Sequence, residues 1–319
     1  MRGMLVILRW GVRSFRSALC IAALLLPAPA LAVEGGMSPY AKGFGGFMAG
    51  LVPPPGYYSS YIFYHFQGSA DALPRNGISE LNVGAHADLD LYEGTWVTDY
   101  TILGGRYGVS AAFDYLDTGL RGTLSLPAGA QQAKLHTGGL SDSLLSPIIL
   151  GWDSGNWHWN TDLLIYVPTG AYHTSQHLNV GKNIWGFMPQ AGVTWLDPAS
   201  GWDVSGQLTY VTMTRNDATD YQSGDILHFD WGVGLHFGND KEYEIGVNGS
   251  VMDQLGGDRG KGAVLGPFKA QSFGVGPAVS WRTNAGAVPF SFAAKWETDF
   301  SSRNTLHGDV FMLTATAVF

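Results

Sequence analysis

The chain has 319 residues, of which 45% are apolar and 13% aromatic but only 14% charged, and its formal net charge is −8. An ordinary soluble domain carries roughly 25% charged residues, yet a mean hydropathy of +0.04 and the lack, after residue 33, of any run near the ~18 apolar residues of a spanning helix exclude a bundle of membrane helices. The 44 glycines follow no collagen triplet and coexist with abundant aromatics, which excludes fibrous and disordered classes, and the acidic balance excludes nucleic acid as an electrostatic partner.

Residues 1–32 read as a secretory signal. Arg2, Arg9, Arg13 and Arg16 precede an apolar run from Ala18 to Leu26, and Ala30-Leu31-Ala32 has the small-x-small form of a cleavage site. Cleavage near Ala32 removes four arginines and no acid, leaving 287 residues with a formal charge of −12. It also removes the one cysteine, Cys20. Bulky Leu19 before it argues against a lipoprotein anchor, and the remaining chain has no disulfide or thiolate chemistry.

Residues 33–57 lack strand alternation. Phe44, Phe47, Met48 and Leu51 recur at roughly helical spacing, and Pro53-Pro54-Pro55-Gly56 forms a stiff turn that redirects the chain into Tyr58. Two readings stay open for this segment: a plug inside a barrel that offers an apolar surface to a ligand, or a periplasmic arm.

From residue 58 to 319 the chain is all-β. Period-two alternation predicts twelve strands, near 58–66, 80–92, 105–116, 142–153, 157–168, 184–196, 202–214, 225–237, 242–253, 269–282, 288–299 and 308–319. Their lengths suit a tilted crossing of a bilayer, which takes ~9–11 residues. Short turns, such as Asp153-Ser154-Gly155-Asn156 and Gly238-Asn239-Asp240-Lys241, alternate with longer polar loops, such as Asp117 to Ser141 and Thr169 to Asn183. That alternation describes a transmembrane antiparallel β-barrel of about twelve strands in the outer membrane of a Gram-negative bacterium. One connection breaks the pattern: Glu93 to Gly104 falls on the short-turn side yet has twelve residues. Trp152, Trp157, Trp159, Trp195, Trp202, Trp281 and Trp296 fall near predicted strand ends, where an interfacial girdle places amphipathic rings. Phe319 closes an alternating strand and resembles the signal read by the barrel-assembly machinery.

The polar faces of these strands predict a lumen lined by His86, Asp88, Asp90, His158, Asp162, His228, Asp230, His236, Glu244, Lys295 and Glu297. No local metal-ligand spacing stands among them, so the expected lumen is solvated and hydrogen-bonded, with no metal or cofactor. An outer-wall hydrolase of the kind found among twelve-stranded phospholipases needs a Ser/His pair on the lipid face. No pair there is persuasive, and no enzyme is expected.

Glu34-Gly-Gly, Leu51-Val-Pro-Pro-Pro-Gly-Tyr57, Leu103-Gly-Gly-Arg-Tyr-Gly108, Tyr166-Val-Pro-Thr-Gly170, Gly181-Lys-Asn183, Thr194-Trp-Leu-Asp-Pro198, Asp220-Tyr-Gln-Ser-Gly-Asp225 and Gly276-Pro277 together resemble the family of proteins involved in the meta-pathway of phenol degradation. That family is also described as a SphA-type outer-membrane transporter family. The resemblance spans nearly the whole chain after the leader and implies passive uptake of aromatic or other hydrophobic small molecules, with no catalytic residues to carry over. Outer-membrane lipid and such cargo are the implied partners. A general diffusion porin for polar solutes, a surface-interaction barrel using the long loops, and a lipid hydrolase are the alternatives.

Overall fold

The computed structural model describes residues 38–72, 80–126, 129–263 and 266–319. The predicted leader, 1–32, and residues 33–37 lie outside the described residues. The described chain forms β1 (Gly56–Ala72), β2 (Glu80–Ile102), β3 (Gly105–Leu126), β4 (Gly129–Leu140), β5 (Ser143–Ser154), β6 (Trp157–Val167), β7 (Gly186–Leu196), β8 (Trp202–Met213), β9 (Ile226–Phe237), β10 (Tyr243–Gln254), β11 (Gln271–Ala285), β12 (Val288–Arg303) and β13 (His307–Val318). All pairings between these strands are antiparallel, and twelve of the strands close a barrel. Closure comes from β1 pairing with β13, from Tyr58 opposite Val318 to Ser69 opposite His307. A closed ring leaves no unpaired backbone edge, which hydrocarbon would penalise by several kcal/mol per group. Among the described residues no helix is long and apolar enough to cross a membrane.

The twelve predicted strands correspond to the twelve of the barrel. The differences cluster in β1 to β4. The lower half of β3 pairs with β5, Arg106 opposite Gly151 through Ala112 opposite Leu144. Its upper half pairs instead with β4, Tyr115 opposite Leu140 through Leu126 opposite Gly129. The segment from Asp117 to Ser141 is therefore a strand extension and an extra hairpin strand rather than a loop. The anomalous connection also resolves. β2 runs on to Ile102, and the turn is Leu103-Gly104, with φ of 51° and 76°. Positive φ at both central residues gives a hairpin turn whose twist matches the strands.

On the outer face of the barrel large apolar side chains stand exposed, among them Trp157, Trp202, Ile245, Val279, Trp281 and Leu313. The lumen divides by height. Towards the long loops, one apolar cluster gathers Tyr166, Met188, Val211, Met213, Ile226 and Met252, and a second gathers Ile62, Tyr64, Phe66, Leu91, Leu116 and Met312. Towards the short turns, the buried inward side chains are polar: Thr194, Asp203, Ser205, His236 and Glu244.

Candidate functional site

Residues 38–55 run down the inside of the barrel as a chain of turns and bends, without the helix that their apolar spacing suggested. Inward polar side chains supply the hydrogen bonds that an irregular backbone cannot make to itself. Tyr40 Oη donates to Asp230 Oδ2 at 2.6 Å, and the Gly45 N–H reaches the same oxygen at 3.1 Å. Lys295 Nζ donates to the Gly45 carbonyl at 2.5 Å. Lower down, the Met48 N–H donates to Asp203 Oδ2 at 2.9 Å and the Gly50 N–H to Thr194 Oγ1 at 2.9 Å. Asn160 Nδ2 donates to the Ala49 carbonyl at 2.8 Å, and an Arg106 guanidinium nitrogen to that of Val52 at 2.7 Å. Gly192 has no side chain where the Ala49 carbonyl presses against the wall; a Cβ there would collide with it. The segment leaves the lumen at the short-turn end, and the three prolines redirect it into β1.

Between this segment and the wall lies a cavity of about 680 Å³, within the ~300–1,000 Å³ typical of small-molecule sites. Its apolar side is built by Phe66, Ala87, Leu89, Leu91, Ala112 and Leu116 from β1 to β3, faced by Phe44 and Tyr40. Its lower side is polar, with Glu93, Ser110, Ser146, Asp162, Gln190 and Gln207. Ser146 Oγ donates to Asp162 Oδ1 at 2.7 Å, and Gln207 Nε2 to Gln190 Oε1 at 2.7 Å. Over the top, the connection from Tyr172 to Lys182 contributes Leu178 and Val180. Asp142, fully buried, organises that roof: its two carboxylate oxygens accept the Gly170 and Lys182 N–H groups, each at 2.7 Å.

Eight of the eleven predicted lumen residues face inward: His158, Asp162, His228, Asp230, His236, Glu244, Lys295 and Glu297. Asp162 and His228 border the cavity. His158 Nδ1 lies 2.5 Å from Asp153, and Glu297 is bonded by Asn248 and, at 2.8 Å, by Ser250. His86, Asp88 and Asp90 face outward, contrary to expectation. Asp88 Oδ1 is 2.5 Å from His65 Nδ1, Asp90 is bonded by Tyr61, and His86 Nε2 is 3.8 Å from Asp117. The physical reason is that the first half of β2 lies towards the long loops. There its polar side chains meet water on the outer face, while Ala87, Leu89 and Leu91 turn inward to line the cavity. The alternation holds along β2, with its sense reversed.

Of the four predicted contact residues only Phe44 lines the cavity. Phe47 packs against the wall at Gly232, Met48 adopts φ of 55°, and the Leu51 N–H closes a turn on the Met48 carbonyl at 3.0 Å. Tyr40, Asp142 and the inward apolar residues of β1 to β3 carry no local motif.

The family described as "Putative MetA-pathway of phenol degradation" matches residues 67–315. The chain belongs to this family. No curated protein sequence matches it. Among solved structures, the COG4313 outer membrane channel from Pseudomonas putida F1 has a TM-score of 0.65 at 15% identity, covering 84% of this chain and 97% of that one. This likeness concerns the fold. The CymD monoaromatic hydrocarbon channel gives a TM-score of 0.39 at 11% identity over 91% of this chain and 97% of its own. The transport unit of the autotransporter AIDA-I from Escherichia coli gives 0.44 at 8% identity over 83% and 90%.

Proposed function

We propose that this protein is a passive outer-membrane channel for uptake of aromatic or other hydrophobic small molecules, and that residues 33–57 plug its lumen. The observation that carries the reading is the apolar inner wall of β1 to β3, where Ala87, Leu89, Leu91, Ala112 and Leu116 face a cavity instead of the polar lumen usual in such barrels. An apolar solute entering from the long-loop side gains ~25 cal/mol per Å² of surface removed from water. The polar residues beneath keep that binding from extending through the lumen, so cargo is released rather than trapped. Family membership and the likeness to a Pseudomonas putida outer membrane channel support an outer-membrane setting, reached after removal of residues 1–32 and insertion by the assembly machinery through the strand ending in Phe319. The chain carries no nucleotide-binding motif, and a concentration gradient supplies the driving force.

The test is reconstitution in liposomes, comparing entry of toluene and phenol with swelling by small sugars. Faster aromatic entry with little sugar flux is expected. Rapid sugar swelling without aromatic preference would make the protein a general porin, and no flux of either would leave a surface-interaction role.

A further inference from the structure

Asp203, His236 and Glu244 stand near the short-turn ends of three consecutive strands, β8, β9 and β10, below the cavity. His236 and Glu244 are directly opposed across β9 and β10. Asp203 is opposed to Gly234, two residues from His236 on the same face of β9. All three residues are buried, and one ligand-type atom of each lies within 4.8 Å of the others. Local spacing along the chain could not reveal the group, because sheet pairing across three strands assembles it.

The unused atoms point to a ligand. Neither ring nitrogen of His236 nor Oε1 of Glu244 makes a well-formed hydrogen bond among the described residues, although their side chains are only 4% and 1% exposed; the Lys241 backbone and the Asp203 carboxylate are their looser polar neighbours. His236 Nε2 stands 3.5 Å from that Oε1. The other carboxylate oxygens are held in place: Ser280 Oγ donates to Glu244 Oε2 at 2.8 Å, Ser205 Oγ to Asp203 Oδ1 at 2.5 Å, and the Met48 N–H to Asp203 Oδ2 at 2.9 Å. Hydrogen bonds of this kind orient carboxylates towards a cation and leave a lone pair free on each. Gly234 gives Glu244 its room, since a Cβ there would collide with Oε1.

We propose that Asp203, His236 and Glu244 form a binding site for a borderline divalent transition metal such as zinc. One imidazole with two carboxylates suits such an ion better than magnesium or calcium, which take oxygen ligands. Zinc bonds of ~2.0–2.2 Å are reached by small rotations of the three side chains. The bound ion neutralises two buried carboxylates and satisfies the imidazole. It ties three strands together and, through the Met48 N–H on Asp203, fastens the lower part of the N-terminal segment to the wall.

The test uses the full chain refolded in detergent, stripped with EDTA and titrated with zinc chloride by calorimetry. About one tight equivalent per chain is expected. His236→Ala and Glu244→Gln should each weaken binding at least tenfold, with heat-modifiable gel mobility reporting that the barrel is folded. Gly234→Ala keeps all three ligands and displaces only Glu244, so it should weaken binding too; it carries the test if the ligand variants do not fold. The loop double variant His173→Ala/His177→Ala should leave binding unchanged. Absence of zinc binding in the wild type, leaving a proton shared by the carboxylates, overturns the proposal. So does undiminished affinity in His236→Ala, Glu244→Gln or Gly234→Ala, or loss confined to the loop variant.

Discussion

Lys42 Nζ lies 2.5 Å from Asp299 Oδ1, joining the N-terminal segment to β12 across 257 positions of sequence. The carboxylate is fully buried and the lysine nearly so, at 0% and 12% side-chain exposure. Removing one partner of a buried pair leaves an uncompensated charge and costs about 3–5 kcal/mol. Lys42→Met should lower the thermal unfolding midpoint and loosen the upper part of the segment, raising single-channel conductance in planar bilayers several-fold. Unchanged conductance would mean that this pair does not hold the plug.

Gly192 offers a steric lever at the other end of the segment. Gly192→Leu places a side chain where the Ala49 carbonyl now sits, so the backbone around residue 49 must leave the wall. Conductance and sugar permeability should both rise, as they should on deletion of residues 33–51. A variant that folds and conducts like the wild type would contradict the plug reading.

Cargo selectivity should respond to the apolar wall. Ala112 is 8% exposed and borders the cavity, so Ala112→Phe fills space without adding charge. Toluene entry into liposomes should fall about tenfold, on the reasoning that overpacking a closed site costs ~1–3 kcal/mol, while the heat-modifiable gel mobility of the folded barrel is retained. Equal toluene entry would move the route elsewhere in the lumen.

Stability of the loop after β10 should depend on pH. Asp258 accepts Tyr221 Oη at 2.5 Å, Gln254 Nε2 at 2.6 Å and the Gly224 N–H at 3.2 Å, yet burial pushes its carboxyl above the usual 3.8 in spite of these bonds. The folded loop therefore binds a proton more tightly than the unfolded chain. This contribution is fully present below pH 3.8 and is lost as pH rises through the raised folded value. Amide exchange between residues 215 and 263, corrected for intrinsic rates, should show greater protection at low pH, and Asp258→Asn should abolish the trend. A trend that survives the substitution belongs to another group.

Barrel class and the twelve strands that close the barrel were legible in the sequence because each rests on a local pattern, whereas β4, read as part of a loop from Asp117 to Ser141, was not. The period of two that marks Leu227 to Phe237 needs no distant partner to be recognised. The sense of that pattern was not legible everywhere. On β9 the polar set faces the lumen, whereas on β2 His86, Asp88 and Asp90 face outward. Identical alternation serves both, and only height relative to the membrane distinguishes them.

By itself, then, the sequence determined a closed antiparallel barrel, because backbone groups in hydrocarbon must all be paired and a dyad pattern over strands of this length permits little else. It showed as well that the segment before the first strand lacks alternation, and residues 38–55 form none of the strands. Tertiary structure alone decided which face of β2 turns inward, where β3 exchanges β5 for β4, and which wall groups grip the N-terminal segment. The bonds from Tyr40 to Asp230 and from Lys42 to Asp299 span 190 and 257 positions. Contacts at such separation depend on strand register and barrel closure, which no local spacing encodes.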